Sequence, residues 1–213
     1  MRFFDREAEF EKLREIEELS QEVAQFTIIT GRRRIGKTEL VKQFYARKTL
    51  LYFFVARKAE TDLCDIFIEE IRTKLNIPMI DSKGITFATV FKFIMELSQN
   101  QHITLFIDEF QDFFRVNSSI YSDMQNIWDT YRKKSKMNLI VSGSVYSLMQ
   151  KIFQNNKEPL FGRADNIIKL SAFDLTTLKE IMRDYNFNYT NDDLLALYSF
   201  TGGVPKYVEL FCD

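Results

Sequence analysis

Residues Gly31-Arg32-Arg33-Arg34-Ile35-Gly36-Lys37-Thr38 carry the types and spacing of a phosphate-binding loop, G-x-x-x-x-G-K-[ST]. Glycine at Gly31 and Gly36 lets the backbone turn tightly and aim its N–H groups at a triphosphate. Lys37 then reaches the β- and γ-phosphates, and the Thr38 hydroxyl ligates Mg2+. Much further along, Asp108 and Glu109 follow directly on the apolar run Ile103-Thr104-Leu105-Phe106-Ile107. Carboxylates at a strand's carboxyl end sit where open α/β sheets bind ligands. Asp108 is placed to hold Mg2+ through its water shell, and Glu109 to orient and deprotonate an attacking water. An isolated Asp-Glu pair also caps turns, but a phosphate loop in the same chain favours the metal and base roles.

Such a site needs a strand before the loop and a helix after it. Phe26-Thr27-Ile28-Ile29-Thr30 is a short β-rich run, and Lys37 to Lys48 contains neither glycine nor proline. Before them, Phe10, Leu13, Ile16 and Leu19 recur among Glu and Lys as an amphipathic helix. Leu50 to Val55 is a continuous apolar run, read as a second strand buried on both faces. Leu63, Ile66, Phe67, Ile71 and Leu75 mark one helix; Phe87, Val90, Phe91, Ile94 and Leu97 mark another, with Pro78 and Gly84 between them. Ile103 to Ile107 is a third strand, Ser119 to Lys134 a helix, Asn138 to Ser142 a fourth strand and Asn166 to Leu170 a fifth. Strands alternating with helices predict an α/β fold with a parallel sheet covered on both faces. After Asp174 only helices are expected, at Leu175 to Tyr185, Asn191 to Phe200 and from Val204 onward. The predicted domains are therefore 1–173, nucleotide-binding, and 174–213, the truncated beginning of a helical lid.

The chain has 213 residues, 46% of them hydrophobic, which predicts a sizeable core and little disorder. Its net charge of −1 gives no global reason to expect nucleic acid or an anionic membrane as a partner. Cys64 and Cys212 match no metal or redox spacing, so a reduced, cytoplasmic and soluble protein is expected. No apolar run is long enough to span a bilayer. With only 7 glycines and 3 prolines, special backbone geometry is concentrated in Gly31, Gly36, Gly143, Gly162, Gly202, Gly203, Pro159 and Pro205, all inside the motifs singled out for the site.

Taken together, these residues resemble an ATPase of the AAA-like branch of P-loop NTPases with the additional catalytic glutamate, and specifically the archaeal-type ATPase family, related to the STAND signalling ATPases. The family's loop, Gly-x-Arg-Arg-x-Gly-Lys-Thr, is matched by Gly31, Arg33, Arg34, Gly36, Lys37 and Thr38. The resemblance implies a three-layer P-loop sandwich followed by a helical lid, with ATP and Mg2+ as cofactors. It places the nucleotide against Gly31 to Thr38, including Arg32 and Ile35, and Glu39 just beyond. Arg32 to Arg34 also fit a variable loop top, or a surface touching a partner.

Phe4-Asp5-Arg6-Glu7 resembles the family's Phe-x-Gly-Arg-Glu segment over the adenine, which makes Phe4 and Arg6 candidate contacts. Asp5 stands where glycine is usual. Ser142 or Ser144 falls where the family has a polar sensor of the γ-phosphate. Pro159-Leu160-Phe161-Gly162-Arg163 resembles Pro-Leu-Tyr-Gly-Arg, making Arg163 the arginine-finger candidate, in a neighbouring subunit if the protein is a homo-oligomer. Gly203-Val204-Pro205 matches the Gly-x-Pro motif that sets Pro205 near the base; read alone it is also plain helix punctuation.

The implied activity is Mg-dependent ATP hydrolysis driving a conformational switch, its protein or nucleic-acid target set by regions beyond residue 213. The alternatives are a nucleotide-binding switch without useful turnover, and an ATP-dependent DNA-binding protein acting through a winged helix that this chain lacks. A GTPase is disfavoured, since Asn156-Lys157-Glu158-Pro159 is the nearest approach to Asn-Lys-x-Asp and lacks its aspartate.

Overall fold

The computed structural model describes residues 3–77, 84–185 and 188–212. Pro78, expected to separate two helices, lies outside them. Helix α1 (Glu7–Ser20) precedes β1 (Gln25–Thr30), and α2 (Lys37–Phe44) follows the loop. Strand β2 (Leu51–Phe54), helices α3 (Glu60–Leu75) and α4 (Phe87–Leu97), and β3 (Ile103–Asp108) come next. A 3-10 turn, Phe110–Asp112, leads into α5 (Phe113–Val116) and α6 (Ile120–Tyr131). Strand β4 (Met137–Ser142), helix α7 (Tyr146–Gln154) and β5 (Asn166–Lys169) complete the sheet, and α8 (Leu175–Asp184), α9 (Asn191–Thr201) and α10 (Pro205–Cys212) close the chain.

All five strands pair in parallel, in the order β2-β3-β4-β1-β5. Because side chains alternate across a strand, the inner strands β1, β3 and β4 each feed two cores. Leu51, Phe53, Leu105, Ile107, Leu139 and Val141 pack beneath α3, α4 and α6, while Phe106, Ile140, Ile29 and Ile168 face α1 and α2. The result is the expected three-layer α/β sandwich. A third apolar cluster joins Leu178, Ile181, Leu194, Leu197 and Val208 of the last three helices to Phe4 and Phe173.

Several expectations are corrected. Strand β2 is an edge strand, so Phe54 is 49% exposed rather than buried on both faces. Helix α2 ends at Phe44, short of Lys48. Leu19 is 55% exposed because a repeat of three in a helix of 3.6 residues per turn drifts steadily round the axis, away from Leu13 and Ile16. Helix α7 was not expected at all. No helix among the described residues is long and apolar enough to cross a membrane.

Candidate active site

The chain leaves β1, turns through the loop and enters α2 at Lys37, with Gly36 as its N-cap at φ 92°. That left-handed backbone is costly for a residue with a Cβ, so glycine is favoured there. Lys37 is 7% exposed and folds back over the loop, its Nζ donating to Gly31 O at 3.0 Å and Arg32 O at 3.1 Å. Burial holds its pKa below the usual lysine range, against the opposing pull of Glu109 and Asp108. An ammonium already stripped of much of its water gains strongly from an incoming phosphate.

The sheet order places β4 between β1 and β3, so the serines ending β4 lie between the loop and the carboxylates. Asp108 Oδ2 accepts from Thr38 Oγ1 at 2.6 Å and from the Tyr52 hydroxyl at 3.3 Å. Ser142 Oγ donates to Asp108 Oδ1, which also accepts the Glu109 backbone N–H at 3.0 Å. Glu109 has φ 54°, and its Oε2 accepts from Ser144 Oγ at 2.7 Å and from Gln111 Nε2 at 2.6 Å. The neighbourhood of Asp108 raises the Tyr52 pKa, chiefly through burial.

A cavity of about 850 Å³ is lined by Arg33, Arg34, Ile35, Gly36, Lys37, Thr38 and Glu39 together with Asp108, Glu109 and Ser144. Phe4, Arg6, Phe173 and Pro205 form another part of its wall, which brings the residues from the chain's two ends to one place. Its size is that of a small-molecule cofactor site. Gly31, Arg32 and Ser142 do not line it: Gly31 packs against Leu170, the Arg32 carbonyl accepts from Lys37, and Ser142 is buried and donates to Asp108.

The end segments are tied together by specific contacts. Asp5 (φ 56°) and Arg6 (φ 102°) both have left-handed backbones, which explains why a glycine suits the position Asp5 occupies. Asp5 Oδ1 accepts the Arg6 N–H at 2.9 Å. The Arg6 guanidinium donates to Ser171 O at 2.8 Å and lies 5.3 Å from the Phe173 ring centroid. Phe173 N donates to Gly203 O at 2.8 Å, and a Cβ on Gly203 would stand 2.3 Å from Phe173 O. The loop meets the last helix as well: Lys206 N donates to Arg34 O at 3.4 Å, and the Arg34 guanidinium lies 5.3 Å from the Tyr207 ring centroid.

Arg163 does not line the cavity. It precedes β5, at the amino-terminal edge of the sheet, and donates to Asp129 at 3.1 Å and Phe161 O at 2.8 Å. His102 is also remote from the cavity. Ser20 Oγ gives its hydrogen to Glu17 O, so His102 Nε2, 2.8 Å away, donates to that serine and does not activate it. Sequence reasoning missed Gln111, Tyr52 and Phe173. Gln111 carries no signature in its spacing, and Tyr52 reaches Asp108 only because β2 and β3 are neighbours.

Thr38 and Asp108 supply hard oxygen donors, few in number, which fit a Mg2+ that retains waters and takes its remaining ligands from phosphate. A parallel sheet with this loop after β1 and this acidic pair after β3 defines a P-loop ATPase fold. The chain belongs to the ATPase domain family found predominantly in Archaea, whose model matches residues 3–211. It is 30% identical over 207 residues to an uncharacterized protein of Methanocaldococcus jannaschii, covering 97% of this chain and 43% of the relative. The chain thus spans less than half of that relative's length.

Among solved structures, the Walker-type ATPase PABY2304 of Pyrococcus abyssi superposes with a TM-score of 0.75 at 19% identity, over 99% of this chain and 67% of that one. The Aeropyrum pernix ORC2 protein, in ADPNP–ADP complexes, has a TM-score of 0.63 at 16% identity, over 84% and 50% of the two chains. At these identities the likeness is one of fold.

Proposed function

We propose that this domain binds ATP with Mg2+ and hydrolyses it, Glu109 serving as the general base for the attacking water. The observation that carries the reading is that Glu109 lines the same cavity as Lys37 and Thr38, beside Asp108. Lys37 supplies positive charge to the β- and γ-phosphates, and the loop N–H groups cradle them. Thr38 and Asp108 would hold Mg2+, whose charge would support phosphoryl transfer. Ser144 keeps Glu109 turned toward the loop, while Ser142 keeps Asp108 in place. Phe4, Arg6 and Pro205 are the proposed adenine contacts.

The lid segment, proposed to be residues 174–213, touches the nucleotide wall through Pro205 and the loop through Lys206 and Tyr207. Hydrolysis there would alter how the lid sits, which supports a conformational switch whose target is set elsewhere in a longer protein. Arg163 is proposed to act in trans, since its own cavity lies at the opposite edge of the sheet. The test is Glu109→Gln with Mg-ATP: nucleotide binding retained and hydrolysis lost supports the assignment. Hydrolysis at the wild-type rate would leave a nucleotide-binding switch that does not use this base.

A further inference from the structure

We infer that Gln111 is a positioning residue for Glu109, holding its carboxylate in a fixed rotamer, and that Gly143 provides the room this requires. The inference rests on the proposed hydrolytic role of Glu109. Gln111 lies in the 3-10 turn after β3 and is 2% exposed. Its side chain turns back so that Nε2 donates to Glu109 Oε2 at 2.6 Å, the same oxygen that Ser144 Oγ reaches at 2.7 Å. Two donors from the ends of two different strands therefore hold one oxygen. Among the described residues, Glu109 Oε1 takes no hydrogen bond, which leaves it for a water.

The glutamine's orientation is not arbitrary. A carboxylate only accepts, so the amide must present its NH2 to Glu109 and turn its oxygen away. That oxygen is buried with no hydrogen-bond partner. Such a group destabilises a fold, and an apolar side chain of similar length would fill the space without it. The amide is therefore explained by what its nitrogen does for Glu109. Gly143 supports the same conclusion: a Cβ there would lie 2.4 Å from Gln111 Oε1 and 2.4 Å from Met149 Sδ, so any larger residue would displace the glutamine. The backbone is pinned too, with Asp112 N donating to Glu109 O at 2.8 Å.

General-base catalysis by a carboxylate is sensitive to misplacement, and an error of about 1 Å costs on the order of a hundredfold in rate. Gln111→Met keeps the bulk and removes the donor; Gln111→Asn keeps the amide but withdraws it by one methylene. Steady-state hydrolysis and titration with a fluorescent ATP analogue should show kcat reduced about 10- to 100-fold, with nucleotide affinity held within about twofold, for whichever of these variants folds. In a Glu109→Gln background the same changes should produce no further loss.

Wild-type kcat in the folded Gln111 variants, or weakened nucleotide affinity at unchanged kcat, overturns the inference. Glu109→Gln separates the two layers of the reading. If it is inactive while the Gln111 variants are fully active, only the role of Gln111 is lost; if it hydrolyses normally, the hydrolytic reading falls and the inference with it.

Discussion

Thr38 Oγ1 lies 2.6 Å from Asp108 Oδ2 across a sequence separation of 70 residues. The hydroxyl hydrogen is committed to the carboxylate, so the threonine's lone pairs stay clear of that bond, and one contact orients both side chains of the proposed Mg2+ site. Thr38→Ala should keep metal-free nucleotide binding but lose the gain in affinity that Mg2+ confers. Asp108→Asn should reduce hydrolysis by about a hundredfold or more, given the several kcal/mol of charge stabilisation a bound metal supplies. Nucleotide titrations with and without Mg2+, paired with phosphate release, read both outcomes.

Lys37→Ala should weaken nucleotide binding by about ten- to a hundredfold, the worth of a charge-assisted hydrogen bond to phosphate. Without ligand, the buried ammonium acts in the opposite sense. Its pKa is lowered in the folded state, so the unfolded chain binds more protons. Stability should rise as pH climbs from the lowered value toward the usual lysine value. Denaturant melts across that alkaline window should show this increment in the wild type and not in Lys37→Met.

Gly203→Ala should destabilise the domain far more than Gly202→Ala. Both glycines are left-handed, at φ 68° and 57°, and each substitution carries about 1–2 kcal/mol of backbone strain. Only at Gly203 does the new Cβ meet a backbone atom, Phe173 O at 2.3 Å; around Gly202 nothing lies within 4 Å. A melting-temperature drop of roughly 5 °C or more at Gly203, about twice that at Gly202, is the expected pattern.

Arg163→Ala should leave nucleotide affinity unchanged and stability nearly so, because its pair with Asp129 is partly exposed and worth at most about 1 kcal/mol. Hydrolysis should fall only where subunits associate. Mixing Arg163→Ala with Glu109→Gln protein should then recover part of the activity, since one mixed interface pairs an intact glutamate with an intact arginine. No recovery on mixing would place Arg163 outside catalysis.

Cys64 is buried, and that burial pushes its thiol up to about 12. The thiolate is therefore scarce at pH 8, so a disulfide reagent should react at this position only on unfolding.

The local parts of this molecule were readable in the residues themselves. Gly31, Gly36, Lys37 and Thr38 are legible as a strand-to-helix loop because its backbone geometry is written in neighbouring residues, and Asp108-Glu109 is legible as a carboxylate pair at the end of an apolar strand. The five strands and most helices were legible from hydrophobic periodicity for the same reason. What periodicity does not encode is which strand lies beside which. The order β2-β3-β4-β1-β5 alone sets Ser142 and Ser144 between the loop and the carboxylates, turns β2 into an edge with Phe54 exposed, and brings Tyr52 to Asp108. Tertiary packing also decided that Arg163 stands at the far edge of the sheet, and that Phe4, Phe173 and Val208 share one core although they come from opposite ends of the chain. Gln111 belongs to that second kind of knowledge. Its residue type says nothing until the turn after β3 and the missing side chain at Gly143 bring its amide to Glu109.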